Sequence, residues 1–288
     1  IYYPAEKLEE VRQTGEATDE WYRVTLYRLV DLARSVASKY SRAKVREALP
    51  EDFQYIIDEL LHTSGEEHDK QAYYQNIIGT VIEVGMAGAF IEALCRLIKR
   101  MAVDRLHVVG DIYDRGARPD RILDMLMEHH RVDIQWGNHD IVWMGAAAGS
   151  AVCVATVLNS ALQYNTLAIV ENTYGISLRD LIGFAQETYK GCTWFMPRSE
   201  DDAYYVKNRM DTLSKAHKAI AIIMFKLEGQ LIRRHPEYGM DDRLLLEHID
   251  YTAHTVTIDG QVYPLNDAHF PTVDPADPYR LSDGEASL

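Results

Sequence analysis

The hydrophobic and polar positions in the first third of the chain follow a helical period. Apolar side chains fall near one face over residues 20–40, over 42–61 with an interruption at Pro50, and over 71–101. The last of these patterns contains three glycines, which are weak points in a helix. This part is therefore predicted to be helical, and it carries no group of side chains that indicates chemistry.

The period changes at residue 106. Two short apolar runs, 106–109 and 132–136, each end at a glycine, and a helical pattern over 119–130 lies between them. This order predicts a βαβ unit with parallel strands, whose carboxyl ends lie at one edge of the sheet. Because ligands bind at that edge in open α/β sheets, the segment also predicts where a functional site lies.

The second half of the chain is again mainly helical and ends in a hairpin. Three helices and one short strand are predicted, over residues 145–162, 176–189, 210–228 and 166–170 respectively. Over residues 255–265, two alternating runs flank Asp259 and Gly260, a pair typical of a type I′ turn, and Pro264 assigns the second strand to an edge. The proline-rich tail from Phe270 is predicted to be an exposed connector.

The loops after the two strands of the βαβ unit read GDIYDRG and GNHD. Asp111 and Asn138 carry oxygen atoms that suit divalent ions, and two ions about 3.5–4 Å apart are a common device for hydrolysing phosphoesters. We therefore predict that both residues are metal ligands. Gly110 and Gly137 allow tight turns beside them.

Other polar side chains of these loops suit the phosphate and the leaving group. An arginine binds phosphate oxygens through two donors, and a histidine oriented by a carboxylate can protonate a leaving alkoxide. Arg115 is therefore predicted to bind the phosphate, and His139, held by Asp114, to be the general acid. Either motif alone is more often a turn or a surface loop, but the two in order, each after a predicted strand, favour a site.

The two motifs resemble the central signatures of the calcineurin-like metallophosphoesterases. The longer forms HVVGDIYDRG and VDIQWGNHD are most similar to class III fructose-1,6-bisphosphatase, the bacterial manganese-dependent type. Further similar landmarks are IYYPAEKL, ALPEDF, AIAIIMFKLEG, RLLLEHIDY and FPTVDP. The resemblance implies hydrolysis of fructose 1,6-bisphosphate to fructose 6-phosphate and phosphate, a step of gluconeogenesis, by a water that two Mn²⁺ ions activate. It also implies that Asp111 bridges the ions and that Asn138 binds the second one.

The resemblance and the hydrophobic pattern together predict an α/β chain that is predominantly helical. The expected fold is a partial metallophosphoesterase β-sandwich core with extensive helical insertions. Four parts are expected: a helical insertion (1–104), the βαβ core with both motifs (105–175), a helical region (176–254), and the hairpin with its connector (255–288).

Two features of the superfamily have no clear counterpart in this sequence. The superfamily opens with a D-x-H motif on an upstream strand, but the D-x-H of this chain, Asp267 to His269, follows the other motifs, and we interpret it as a loop. Its second metal site is closed by downstream histidines, which here stand in helical contexts. We therefore expect an internal fragment of a longer enzyme, with an incomplete metal site and little activity by itself.

The formal net charge of −14 argues against nucleic acid or an anionic membrane as a partner. The predicted partner is a small sugar bisphosphate, and the sequence leaves open whether the chain forms a homo-oligomer. The cysteines Cys95, Cys153 and Cys192 lie far apart, which fits a reducing cytoplasm and no thiolate metal site. Two other functions stay open: a phosphoprotein phosphatase of the same superfamily, and a catalytically incomplete binding or regulatory module.

Overall fold

The structure, a computed structural model, describes residues 1–62, 68–198 and 207–288. These residues form two compact units, one of residues 1–107 and 129–133 and one of residues 108–128 and 134–288. The chain is predominantly helical with two small sheets in its described ranges, which confirms the mixed and mainly helical class.

The first unit is built from helices that bury their apolar faces on one another. Their bounds are α1 Pro4–Gln13, α2 Asp19–Ala37, α3 Arg42–Ala48, α4 Gln54–His62, α5 His68–Glu83 and α6 Ala87–Ala102. Thr18 caps α2 by accepting the Trp21 N–H at 3.2 Å. In the core, the rings of Phe53 and Phe90 meet edge to face, with centroids 5.1 Å apart.

The single helix predicted over 71–101 is wrong. Gly85 adopts φ +75°, in the left-handed region that glycine enters without steric cost, and it separates α5 from α6. The two helices are bent by 119° at this break. In the described ranges, no single helix is long and apolar enough to cross a membrane, and only this bent pair passes that test when its two helices are taken together.

The predicted βαβ unit is confirmed, as β1 Leu106–Val108, α7 Pro119–Glu128 and β2 Val132–Ile134. The Leu106 N–H donates to the Arg131 carbonyl at 3.0 Å, and the Gln135 N–H donates to the Val108 carbonyl at 2.8 Å. Because both bonds advance in the same direction along the two segments, the strands are parallel. Both motif loops therefore leave the same edge of this strand pair.

Helices also dominate the second unit. They are α8 Asn138–Ala147, α9 Ala151–Gln163, α10 Arg179–Thr188, α11 Lys207–Arg234 and the short α12 Asp283–Ala286. Helix α11 extends the pattern predicted over 210–228 and packs against α9 and α10. The buried Ala216, Ala219 and Ile223 of α11 belong to the core of this unit.

Two predictions in this unit are wrong. The helix predicted over 145–162 is two helices, α8 and α9, because Gly149 adopts φ +89° between them. The strand predicted over 166–170 is instead a helical turn at Ile169–Thr173. A lone strand has no partner for its backbone groups, whereas here the Tyr174 N–H donates to the Ile169 carbonyl at 3.3 Å. The buried side chains of Ile169 and Val170 account for the apolar run.

The hairpin prediction is confirmed. Strands β4 Thr255–Ile258 and β5 Gln261–Pro264 pair antiparallel, with Asp259 and Gly260 both at positive φ, as a type I′ turn requires. β5 is an edge strand of the sheet order β3–β4–β5, which fits Pro264. The short β3, Ile249–Asp250, was not predicted.

The tail, predicted to be an exposed connector, is anchored to α11. The Nζ of Lys226 lies 2.6 Å from Glu285 Oε2 and 2.6 Å from the Thr272 carbonyl oxygen, and the side chains of Lys226 and Glu285 are both fully buried. The ring of Tyr279 packs on Gly229, where a Cβ atom would overlap it. A lysine buried among helices needs a countercharge, and Glu285 in the tail supplies it.

Candidate active site

The two motif loops touch through their glycines. A Cβ atom at Gly110 would overlap the backbone nitrogen of Gly137 and would lie 2.8 Å from the Gln135 carbonyl oxygen. Gly110 also adopts φ +96°, which favours glycine. A larger residue at position 110 would therefore push the loops apart, and with them the predicted site residues.

Asp111 connects the first loop to the start of α8. Its Oδ1 accepts the His139 backbone N–H at 3.4 Å, and its carboxylate packs on Gly137, where a Cβ atom would overlap it. The first turn of a helix favours a negative charge, because its N–H groups have no partners within the helix. Asn138 is the first residue of α8, so the structure brings both predicted metal ligands to one edge.

Asp114, Arg115 and His139 form one cluster. Asp114 Oδ1 lies 3.1 Å from His139 Nε2 and 3.2 Å from Arg115 Nε. The Arg115 guanidinium also lies over the ring of Tyr164, 4.5 Å from its centroid. Because Nε2 of His139 faces the carboxylate, Nδ1 is the ring nitrogen left for a substrate. The His139 side chain is 31% exposed, so a ligand from solvent can reach it.

Asp140 holds the two loops together, a role that the sequence does not predict. It is only 7% exposed. Its Oδ1 accepts the Tyr113 N–H at 3.0 Å, and its Oδ2 accepts the Gly137 N–H at 2.9 Å. An acidic residue at the third position of a helix is a known capping signal and would have predicted the second contact. The first contact depends on the tertiary arrangement of the loops.

An apolar cavity of about 650 Å³ lies beside the motif loops in the second unit, lined in part by Trp136 and by an aromatic cluster. In that cluster the rings of Tyr113 and Trp143 lie 4.6 Å apart, and the hydroxyls of Tyr113 and Tyr174 lie 2.5 Å apart. Burial and this hydrogen bond raise the pKa of Tyr113. The phenol therefore stays neutral, and the cluster supports the GDIYDRG loop by packing.

Asp267 of the D-x-H sequence and the downstream His217 have other partners. Asp267 lies 2.6 Å from the Nζ of the buried Lys218 and accepts the His269 N–H at 2.9 Å. His217 Nδ1 donates to the Phe195 carbonyl at 2.9 Å. Asp267 and His217 therefore have structural contacts, which agrees with the interpretation of the D-x-H as a loop.

The donor set of the motif loops fits part of a divalent metal shell. A carboxylate and an amide oxygen are donors that Mn²⁺ and Mg²⁺ accept. In the part of the chain that the structure describes, no group of three or more His, Cys, Asp or Glu side chains is arranged to hold a metal ion. Asp111 and Asn138 remain the two predicted ligands, and they would fill only part of such a shell.

Comparisons with known proteins assign the chain to a family. The model of the Firmicute fructose-1,6-bisphosphatase family matches residues 1–288, and the chain belongs to that family. Three similar proteins, each called fructose-1,6-bisphosphatase class 3, come from Listeria innocua (51% identical), Clostridium novyi (51%) and Alkaliphilus metalliredigens (50%). Each match covers 100% of this chain and 44% of the relative, so the chain spans less than half of their length. No solved structure matches the chain significantly.

Proposed function

We propose that this chain contributes the phosphate-binding and proton-donating residues of a fructose-1,6-bisphosphatase. The reaction is hydrolysis of fructose 1,6-bisphosphate to fructose 6-phosphate and phosphate, a step of gluconeogenesis. Because the chain spans 44% of the relatives' length, the activity is proposed for the complete enzyme. The observation that carries the proposal is the cluster of Asp114, Arg115 and His139 beside Asp111, in a chain of this family.

The proposed cofactor is Mn²⁺, with Asp111 and Asn138 among its ligands. When bound, the ions supply positive charge to the phosphate oxygens and lower the pKa of a water. Asp111 is well placed for a charged role, because its own orientation is set by the His139 N–H and by contact with Gly137. The choice of Mn²⁺ rests on the family resemblance.

Arg115 is proposed to bind the phosphate. Its guanidinium lies on the face of Tyr164, and its Nε faces Asp114. This arrangement leaves the terminal nitrogens of a planar fork for two phosphate oxygens. The cation also brings positive charge into a strongly acidic chain, in which a substrate with two phosphate groups would otherwise be repelled.

His139 is proposed to be the general acid. The Asp114 carboxylate, whose Oδ1 lies 3.1 Å from Nε2, is proposed to orient the ring. The proton on Nδ1 then passes to the ester oxygen of the 1-phosphate as the bond to phosphorus breaks. Asp114 neither gains nor loses a proton in this step, because its proposed role is to orient the ring.

The test is a chimera in which this chain replaces the matching segment of the Listeria innocua relative, to which it is 51% identical. We expect the chimera to release phosphate from fructose 1,6-bisphosphate, and His139→Ala to lower its kcat by about 10²–10⁴-fold, as loss of a general acid does. Asp111→Ala is expected to lower kcat by orders of magnitude too. His248→Ala, an exposed histidine, is the control.

Near-normal turnover of a folded His139→Ala chimera would remove this residue from the mechanism. A chimera that hydrolyses a phosphoserine peptide and does not hydrolyse the bisphosphate would instead be a phosphoprotein phosphatase.

We further propose that the enzyme is cytoplasmic, with the motifs in a core of residues 105–175 and helical insertions on either side.

A further inference from the structure

A polar cavity of about 210 Å³ lies in the first unit, and no residue of the motif loops lines it. Three fixed cations, one histidine and two carboxylates line it: Lys44, Arg100, Arg131, His130, Glu47 and Asp104. We call it the basic cavity. We propose that it binds a small phosphate-bearing anion, inorganic phosphate or a phosphomonoester.

Asp104 is already neutralised in the basic cavity. Lys44 Nζ lies 2.9 Å from its Oδ1, and Arg131 Nη1 lies 3.7 Å from its Oδ2. The hydrogen bond from Lys44 lowers the pKa of Asp104, as does the charge of Arg131. The other carboxylate, Glu47, is exposed to solvent. The carboxylates therefore leave a surplus of positive charge in the cavity.

Arg100 carries that surplus. It lies in the last turn of α6 and is half-buried, and among the described residues no carboxylate lies within ion-pair distance of it. A half-buried guanidinium without a countercharge is costly, and a bound anion removes the cost. The chain has a net charge of −14, so carboxylates outnumber cations. An arginine without a nearby carboxylate is therefore stronger evidence for an anion site here than it would be in a basic protein.

His130 lies beside the same positive charges. Its Nε2–H donates to the Asp104 carbonyl at 2.9 Å, which fixes the ring against the cavity. Burial, followed by the positive charges of His129 and Arg100, lowers its pKa, while Asp104 opposes that shift. The lowered pKa keeps the ring neutral, and its one N–H is already donated to Asp104, so His130 lies beside the positive charge of the cavity but leaves the anion to Lys44 and the arginines.

The size and donors of the cavity select the class of ligand. Its volume is below the roughly 300–1,000 Å³ of sites for drug-sized molecules, so a small anion fits better. The planar fork of Arg100 matches two phosphate oxygens, and Lys44 adds a point charge. A dianion would also screen Arg100 from Arg131.

The test is calorimetric titration of the 288-residue chain with inorganic phosphate, and separately with glycerol 3-phosphate, at constant ionic strength in chloride. We expect Arg100→Gln to weaken binding about tenfold or more, because a charge-assisted hydrogen-bond pair is lost. Arg96→Gln, an exposed arginine one turn earlier on α6, is the matched control and should change binding less than about twofold. The tighter of the two probes identifies the source of the phosphate group.

Phosphate could also bind the motif loops, and Arg115→Gln separates the two sites. In that variant we expect the contribution of Arg100 to persist and the His130 imidazole NMR signals, assigned with His130→Gln, still to shift with phosphate. Unchanged binding in Arg100→Gln, or complete loss of binding in Arg115→Gln alone, overturns the proposal. Arg131→Gln provides a second variant of the cavity if Arg100→Gln folds poorly. These outcomes do not depend on the hydrolysis proposed above.

Discussion

The core of the first unit and the surroundings of the motif loops differ in how far their apolar side chains are exposed to solvent. In the first unit, Leu26, Ile57 and Leu94 are all 0% exposed. Among the residues of the βαβ segment that belong to the second unit, Val109 is 80% exposed and Met127 is 77% exposed. Parallel sheets are normally covered on both faces, and two strands cannot cover themselves. The region proposed to carry the chemistry therefore leaves apolar side chains exposed, unlike the core of the first unit.

The second unit is not open throughout, and its buried ion pair offers the sharpest contrast with the exposed motif region. Lys226→Met leaves Glu285 buried and uncompensated, so we expect the free energy of unfolding to fall by about 3–5 kcal/mol. Urea denaturation followed by circular dichroism measures this loss. The double variant Lys226→Met/Glu285→Leu should recover much of it. An equal loss in both variants would show that packing, rather than charge, dominates here.

The closed core of the first unit should respond almost as strongly. We expect Leu94→Ala to lower the free energy of unfolding by about 2–5 kcal/mol, because Leu94 is fully buried. Met127→Ala, on the exposed face of α7, should stay within about 0.5 kcal/mol. Urea denaturation of both variants compares the two regions directly. A large loss in Met127→Ala would contradict the comparison.

Within the open region, Asp140 should matter more than its neighbours. Asp140→Asn keeps the side-chain size but replaces one acceptor by a donor, so either Tyr113 or Gly137 loses the acceptor of its N–H. The expected cost is about 1–3 kcal/mol, with faster hydrogen exchange of both amides. Asp124→Asn, an exposed carboxylate on α7, is the control. Unchanged protection of both amides would remove Asp140 as the link between the loops.

The smallest expected effect is a pH dependence from His217. Burial, and to a lesser extent Arg198, lowers the pKa of His217 in the folded chain. As the pH falls through the ordinary histidine value, the unfolded chain takes up a proton that the folded chain does not. The stability contribution of the neutral ring is therefore present above that pH and is lost below it.

His217→Gln can keep a donor to the Phe195 carbonyl but does not titrate. We therefore expect the unfolding free energy of the parent chain to fall more between pH 7.5 and pH 5 than that of His217→Gln. Denaturation curves of both proteins at the two pH values measure the difference. Parallel losses would mean that other groups control the acid sensitivity.

Local patterns were sufficient to predict the elements that neighbouring residues determine. The hairpin depends on Asp259 and Gly260, which adopt positive φ more easily than other residues. The βαβ unit depends on two apolar runs and one amphipathic run, each readable without knowledge of the rest. The motif residues were predicted for the same reason, since strand ends bring their loops to one edge.

Local patterns did not predict the structure where a segment had two acceptable conformations and contacts with distant residues favoured one of them. Gly85 and Gly149 are compatible with a helix interior as well as with the left-handed turns that they adopt, and packing of the adjoining helices decided between them. The apolar run at Ile169 suits a strand or a buried turn, and the lack of a pairing partner decided against the strand.

The sequence by itself determined the helical character of the chain, the parallel βαβ unit, the hairpin and the identity of the motif residues. Only the tertiary structure decided that Asp140 joins the two loops, that Lys226 anchors the tail to α11, and that Arg100 has no countercharge among the described residues. The physical reason is the range of the forces involved. Periodicity and turn preference act over a few residues, whereas burial and charge pairing depend on partners tens of positions away, such as Lys226 and Glu285, which are 59 positions apart.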